Sequence, residues 1–162
     1  MHLLVQMYNL ARKEFERNLD GLTDADARKR LEPMNCISWI IAHVANQQHT
    51  FFVDWPQGKE TDPRYRPYGY GSLASQPPLD EAMALWRDAC NEADVWLQAA
   101  TSDNLQVTSH PTSPEGESGG TLLIRCIFHT WCHLGEISSI RQILGHCPPE
   151  FVNMYGWAYD GT

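Results

Sequence analysis

His129 and His133 lie four residues apart in TLLIRCIFHTWCHLGEISSIRQILG, a segment with the apolar period of a long amphipathic helix. On a helix this spacing puts two side chains on one face, about 40° apart around the axis and roughly 6 Å apart along it. Imidazoles so placed can share one divalent cation, and zinc takes histidine nitrogen at about 2.0–2.1 Å. His43, in the strongly apolar SWIIAHVANQQHTFF, supplies a third imidazole if the two segments face one another. Three nitrogens then converge and leave room for a water or a substrate, as in a catalytic metal site.

The pair shares its face with Leu122, Cys126, Ile137, Ile140 and Leu144, which should point into the core. Imidazoles on such a face cost desolvation free energy unless a shared metal or buried hydrogen-bond partners satisfy their nitrogens. Glu136 falls three residues after His133, on the same face one turn on. It can orient an imidazole, act as acid or base, or complete a metal shell; the plain alternative is an exposed glutamate paired with Arg141. The arrangement is not H-E-x-x-H, which weakens a zinc-peptidase reading. Cys126 and Cys132 flank the histidines and read as core residues. His49, about 240° around the helix from His43, is not expected at the same site. His2, His110 and His146 fall near an end or in loops and are expected to be exposed.

Four long helical patterns must position these groups. The first covers His2 to Asn18, with Leu3, Leu4, Met7, Leu10, Ala11 and Phe15 along its apolar stripe. Gly21 stops it, and Thr23 caps a short helical turn through Leu31 that Pro33 ends. The second runs from about Ile37 to Val53, with Asn35 as candidate cap and Trp39, Ile40, Ala42, His43, Asn46 and Gln47 facing inward. The third spans Asp80 to Ala100, with Met83, Leu85, Trp86, Ala89, Val95, Trp96 and Leu97 as expected buried positions. The fourth starts at a Thr121 cap and ends near Leu144, where Gly145 and Pro148-Pro149 block continuation.

Between helices two and three lies DWPQGKETDPRYRPYGYGSLASQPP, without usable periodicity; a loop this long in a compact domain is often functional. Its Trp55, Tyr65, Tyr68 and Tyr70 either wall a pocket or pack onto the helices. A second polar connection precedes the fourth helix, and the aromatic tail FVNMYGWAYDGT is expected to fold back onto the bundle. With no alternating strand, the pattern predicts an all-α four-helix bundle, with long connections after helices two and three that permit a topology other than up-down-up-down.

The 162 residues fit one domain, residues 1–162, and 43% hydrophobic content suits a globular chain. A net charge of −8 argues against a nucleic-acid surface. No apolar run reaches membrane-spanning length, and the N-terminal segment becomes charged too soon for a secretory core. Five cysteines, an odd number without a C-x-x-C pair, read as reduced thiols of a cytoplasmic protein, most of them small buried hydrophobes.

The passages SWIIAHVANQQHTFF and HTWCHLGEISSIRQILG resemble the second- and fourth-helix patterns of the DinB/YfiT-like family of small bacterial four-helix-bundle metalloproteins. The fourth-helix passage, H-x-x-x-H-x-G followed by an acidic residue and then Arg ahead of Leu-Gly, is the more specific. Chain length, helix order and the long connection also fit. The resemblance implies that His43, His129 and His133 occupy the positions of the family's metal triad, holding a divalent ion, often zinc or nickel, with open coordination positions. It also implies homodimers and a small-molecule substrate. Characterised relatives include thiol-dependent enzymes: transferases using bacillithiol and isomerases using mycothiol. The expected function is therefore that of a metal-dependent enzyme, an S-transferase or a related isomerase or hydrolase, with a low-molecular-weight thiol as cosubstrate. The alternative is a non-catalytic metal-binding or ligand-sensing stress protein with the same site.

Overall fold

Local sequence explains where each helix begins and ends. The structure, a computed structural model, describes residues 1–108, 116–147 and 149. Helix α1 (Leu3–Arg17) starts where the His2 ring accepts the Leu4 amide. The short α2 (Asp24–Arg28) is capped by Thr23, whose hydroxyl accepts the Asp26 amide at 3.2 Å. It ends sooner than the predicted Leu31. Helix α3 (Ile37–His49) follows Cys36, which makes no side-chain cap, so the expected Asn35 cap is not formed. Beyond His49 the coil widens into a π-helical turn, Thr50–Asp54. Helix α4 (Leu79–Gln98) borrows its cap from α2, where Asp24 accepts the Leu79 amide at 2.9 Å. Asp80 and Glu81 in its first turn complement the helix dipole.

Helix α5 (Gly119–Ile143) is capped at Ser118, ahead of the expected Thr121, because the Ser118 hydroxyl accepts the Thr121 amide at 3.2 Å. Glycine is needed at 119 for space: a Cβ there would meet the Trp96 ring at 2.9 Å. Gly145, at φ 86°, terminates α5 as predicted.

Four long helices and one short helix, with no strand among the described residues, make the fold all-α and bear out the bundle. The core shows how the helices run. One apolar cluster joins Phe15 of α1, Ile37 and Ile40 of α3, Ala82 and Trp86 of α4, and Ile137 and Ile140 of α5. The other joins Val5 and Tyr8 of α1, Ala93 and Leu97 of α4, Leu122 and Cys126 of α5, and Phe51 and Phe52 just after α3. Thus the ends of α1 and α5 meet the starts of α3 and α4, and the order is up-down-down-up. Parallel α3 and α4 cannot be joined by a tight turn. The chain after α3 must travel back along a helix roughly 20 Å long before α4 can begin. That return path is the long segment between Trp55 and Pro78.

Packing corrects several expectations about helix faces. The buried residues of α1 are Val5, Tyr8, Ala11, Arg12, Glu14 and Phe15, while Met7 is exposed. Tyr8 is drawn inward because its hydroxyl donates to Gln48 at 2.6 Å, and Arg12 because it pairs with Asp94 at 2.6 Å. On α4 the buried positions are Ala82, Trp86, Ala89, Ala93 and Leu97, and Val95 is 77% exposed, contrary to prediction. Helix α3 is buried nearly all round, and Gln47, expected to face inward, is its one residue that is not fully buried. Leu122, Cys126, Ile137 and Ile140 are buried as expected. The five cysteines are free, but only Cys36 and Cys126 are buried; Cys90 is half-buried, and Cys132 and Cys147 are exposed. Cys132 stands about 100° from His133, outside the stripe that packs on the core. The predicted packing of the tail and the exposure of His110 lie outside the described residues.

Candidate metal centre

The two down-running and up-running helices α3 and α5 approach one another at mid-length, and there the three predicted histidines meet. His43 Nε2 lies 3.1 Å from His129 Nε2, and His133 Nε2 lies 3.1 Å from the same atom. One ligand nitrogen from each of the three falls within 4.8 Å of the others. Tetrahedral zinc with nitrogen at about 2.0–2.1 Å would hold such nitrogens roughly 3.3 Å apart. The cluster therefore needs little rearrangement to grip an ion.

Hydrogen bonding on the far side of two of the three rings fixes where their protons sit. His43 Nδ1 is 2.6 Å from the Tyr68 carbonyl, which can only accept, so Nδ1 carries the hydrogen and Nε2 offers a lone pair. His133 Nδ1 donates to the Glu136 carboxylate at 2.8 Å, with the same consequence for its Nε2. Both lone pairs converge on His129 Nε2, which carries at most one hydrogen when neutral. A cation resolves that convergence better than one shared proton. His129 Nδ1 is buried without a hydrogen-bond partner among the described residues, so this ring is held from its Nε2 side alone.

Burial, reinforced by the neighbouring His133 and His43, lowers the His129 pKa to about 3 from an ordinary 6.5. Burial also lowers that of His43, opposed by the Tyr68 carbonyl. Both are neutral at pH 7, the state that binds metal. Trp39 stacks on the His43 ring at 4.9 Å and 14°, closing one side of the cluster, and its own indole nitrogen is buried without a partner among the described residues.

Glu136 is not paired with Arg141. That arginine is buried at the end of α5 and donates to the Asn18 and Asp20 carbonyls, clamping the parallel ends of α1 and α5. Of the alternatives for Glu136, the geometry realises the orientation of an imidazole. The loop aromatics divide. Tyr65 is fully buried and Tyr68 packs on the core, whereas Tyr70 stands free in solvent. A cavity of about 380 Å³ beside the loop is lined by His49, Asp54, Asp62 and Glu92 and not by these aromatics.

His49, expected to stay outside the site, does so, but it is only 2% exposed and well partnered. Its two ring nitrogens contact Asp54 at 3.0 Å and Glu92 at 3.2 Å, and its ring stacks on Tyr65. Sequence reasoning also missed the Tyr68 carbonyl, which no side-chain pattern reveals. The legible signal was the three-residue spacing of His43, Asn46 and His49, a polar row along one side of α3.

The sequence model of the DinB superfamily matches residues 7–137, a span that includes all three histidines and Glu136. No curated protein matches the chain. Among the described residues no helix is long and apolar enough to cross a membrane.

Proposed function

The chain belongs to the DinB superfamily, and from that premise we propose that it is a divalent-metal-dependent enzyme acting on a small molecule. The observation that carries this reading is the meeting of three imidazole Nε2 atoms, two of them with lone pairs aimed at the third by acceptors on their Nδ1 sides. His43, His129 and His133 hold the ion, which is zinc or nickel by the family resemblance. Three protein ligands leave a position for an exogenous group. A divalent ion bound there supplies a Lewis acid that lowers the pKa of a coordinated thiol or water.

The favoured reaction is S-transfer from a low-molecular-weight thiol: the thiol sulfur forms the new bond to an electrophilic carbon, the leaving group departs with its electron pair, and the thiol proton goes to solvent or base. Glu136 keeps His133 in its metal-binding tautomer. Its carboxylate stands on the side of His133 that faces away from the other two rings and is partly exposed. The same site fits a related isomerase or hydrolase, and the resemblance supports a homodimer. Single-domain organisation over residues 1–162 and a cytoplasmic setting complete the proposal.

The test starts with elemental analysis of untagged protein, followed by conjugation assays pairing bacillithiol, mycothiol or glutathione with a model alkylating electrophile. Bound metal near one equivalent and activity abolished by His129→Ala with His133→Ala are expected. Full activity in that double variant refutes the mechanism. Bound metal with no conjugation and a large chelator-induced loss of melting temperature would favour the non-catalytic, ligand-sensing alternative.

A further inference from the structure

The return segment after α3 does more than span a distance. Three of its residues, each three apart, reach three residues of α3, also three apart and in reverse order, two of them directly and the third, His49, through Asp54. The Asp62 amide donates to the Asp54 carboxylate at 3.2 Å, and that same oxygen takes His49 Nδ1 at 3.0 Å. The Tyr65 carbonyl accepts from the Asn46 side chain, Nδ2, at 3.0 Å. The Tyr68 carbonyl accepts His43 Nδ1 at 2.6 Å. The segment is itself a ladder of tight turns at that period: the Tyr65 amide donates to the Asp62 carbonyl at 3.0 Å, and the Tyr68 amide to the Tyr65 carbonyl at 2.9 Å. Three residues advance about 4.5 Å along an α-helix and about 6 Å along a 3₁₀ turn, close enough for three successive rungs.

The middle rung is the telling one. A carbonyl oxygen has two lone pairs. That of Tyr65 spends one on the turn that presents Tyr68 and the other on Asn46. The far end is held by the Tyr65 ring, fully buried, stacked on His49 and donating through its hydroxyl to the Leu85 carbonyl of α4 at 3.2 Å.

Resting on the metal-centre reading above, we propose that residues 54–68 form a strap that sets the tautomer and aim of His43, and that Asn46 is its positioning residue. The strap presents a backbone acceptor where a carboxylate serves His133, so His43 is presented for metal binding before any ion arrives. Asn46 touches neither ion nor substrate; it acts through the Tyr65 carbonyl and the turn to Tyr68.

The test combines ¹⁵N NMR of the histidine rings in metal-free protein with zinc titration against a chromophoric chelator. Wild type should show His43 with hydrogen on Nδ1 and bare Nε2. Asn46→Leu, which keeps the branching of the side chain, and Asn46→Ala should each show mixed His43 tautomers and bind zinc 10–100-fold more weakly, the cost typical of losing support behind a ligand. Ser118→Ala, which loses a helix cap far along α5, lowers stability and serves as the control; its His43 tautomer and zinc affinity should match wild type. Wild-type His43 with hydrogen on Nε2 would overturn the proposal, and so would Asn46 variants with wild-type tautomer and affinity. The wild-type spectrum decides even if a variant fails to fold. Wild-type protein that binds neither zinc nor nickel would sink the metal reading separately, leaving the tautomer measurement to judge the strap.

Discussion

The contact between Glu136 and His133 makes a quantitative prediction about metal affinity. The 2.8 Å hydrogen bond joins the carboxylate to the side of the imidazole facing away from the other two rings. Adding the ring and a metal–nitrogen bond puts the negative charge roughly 6–7 Å from a bound ion. At that distance a divalent cation and a carboxylate attract by about 1.3 kcal/mol in water and about 5 kcal/mol at an effective dielectric of 20. The carboxylate is 29% exposed, which favours the lower end. Glu136→Gln keeps an acceptor but removes the charge, and should weaken zinc binding about tenfold, or about 1.4 kcal/mol. Glu136→Ala removes the acceptor as well and should approach a hundredfold loss. Competition titration against a chromophoric chelator at pH 7.5 reads both numbers. Raising the salt concentration should shrink the Gln effect, because the electrostatic part is screened. If both variants bind within twofold of wild type, Glu136 does not support His133 in the way its geometry implies.

Three further outcomes follow from the same structure. In metal-free protein the lowered His129 and His43 pKa values mean that the unfolded chain binds more protons than the folded one below the ordinary histidine value of 6.5. The stability these rings contribute is therefore complete above about pH 6.5 and is lost as pH falls toward 3, up to on the order of 4 kcal/mol for His129; melting curves across that range check it, and a flat profile refutes it. Zinc at a hundred times its dissociation constant should stabilise the fold by about 2.7 kcal/mol, and the same addition to the His129→Ala, His133→Ala variant should leave the melting temperature unchanged. Trp86→Ala should cost about 3–5 kcal/mol, since the side chain is fully buried and its indole donates to Glu16 at 2.8 Å, whereas Val95→Ser should stay within about 0.5 kcal/mol; chemical denaturation compares them.

Local signals carried most of the helix assignments. The Thr23 cap, Gly145 beyond α5 and the apolar periods of α4 and α5 depend on neighbours a few residues away, and each appears where the spacing places it apart from Val95, which faces solvent. The histidine triad was legible for the same reason in part: His129 and His133 share a face by helix geometry alone. Position in the sequence did not reveal which face of α1 turns inward. Met7 has the more apolar side chain, but Tyr8 finds Gln48 and Arg12 finds Asp94 across the bundle. Those partners lie 40 and 82 residues away.

The chain alone thus settled the helical class, the family likeness and the residue types able to bind a cation, because these follow from short-range periodicity and side-chain chemistry. Folding decided the rest: that α3 and α4 run parallel, that the intervening segment must double back, and that a main-chain oxygen at Tyr68 aims the ring of His43. A carbonyl is common to every residue, so its role is set by where the backbone passes and leaves no mark in the identity of the side chain it belongs to.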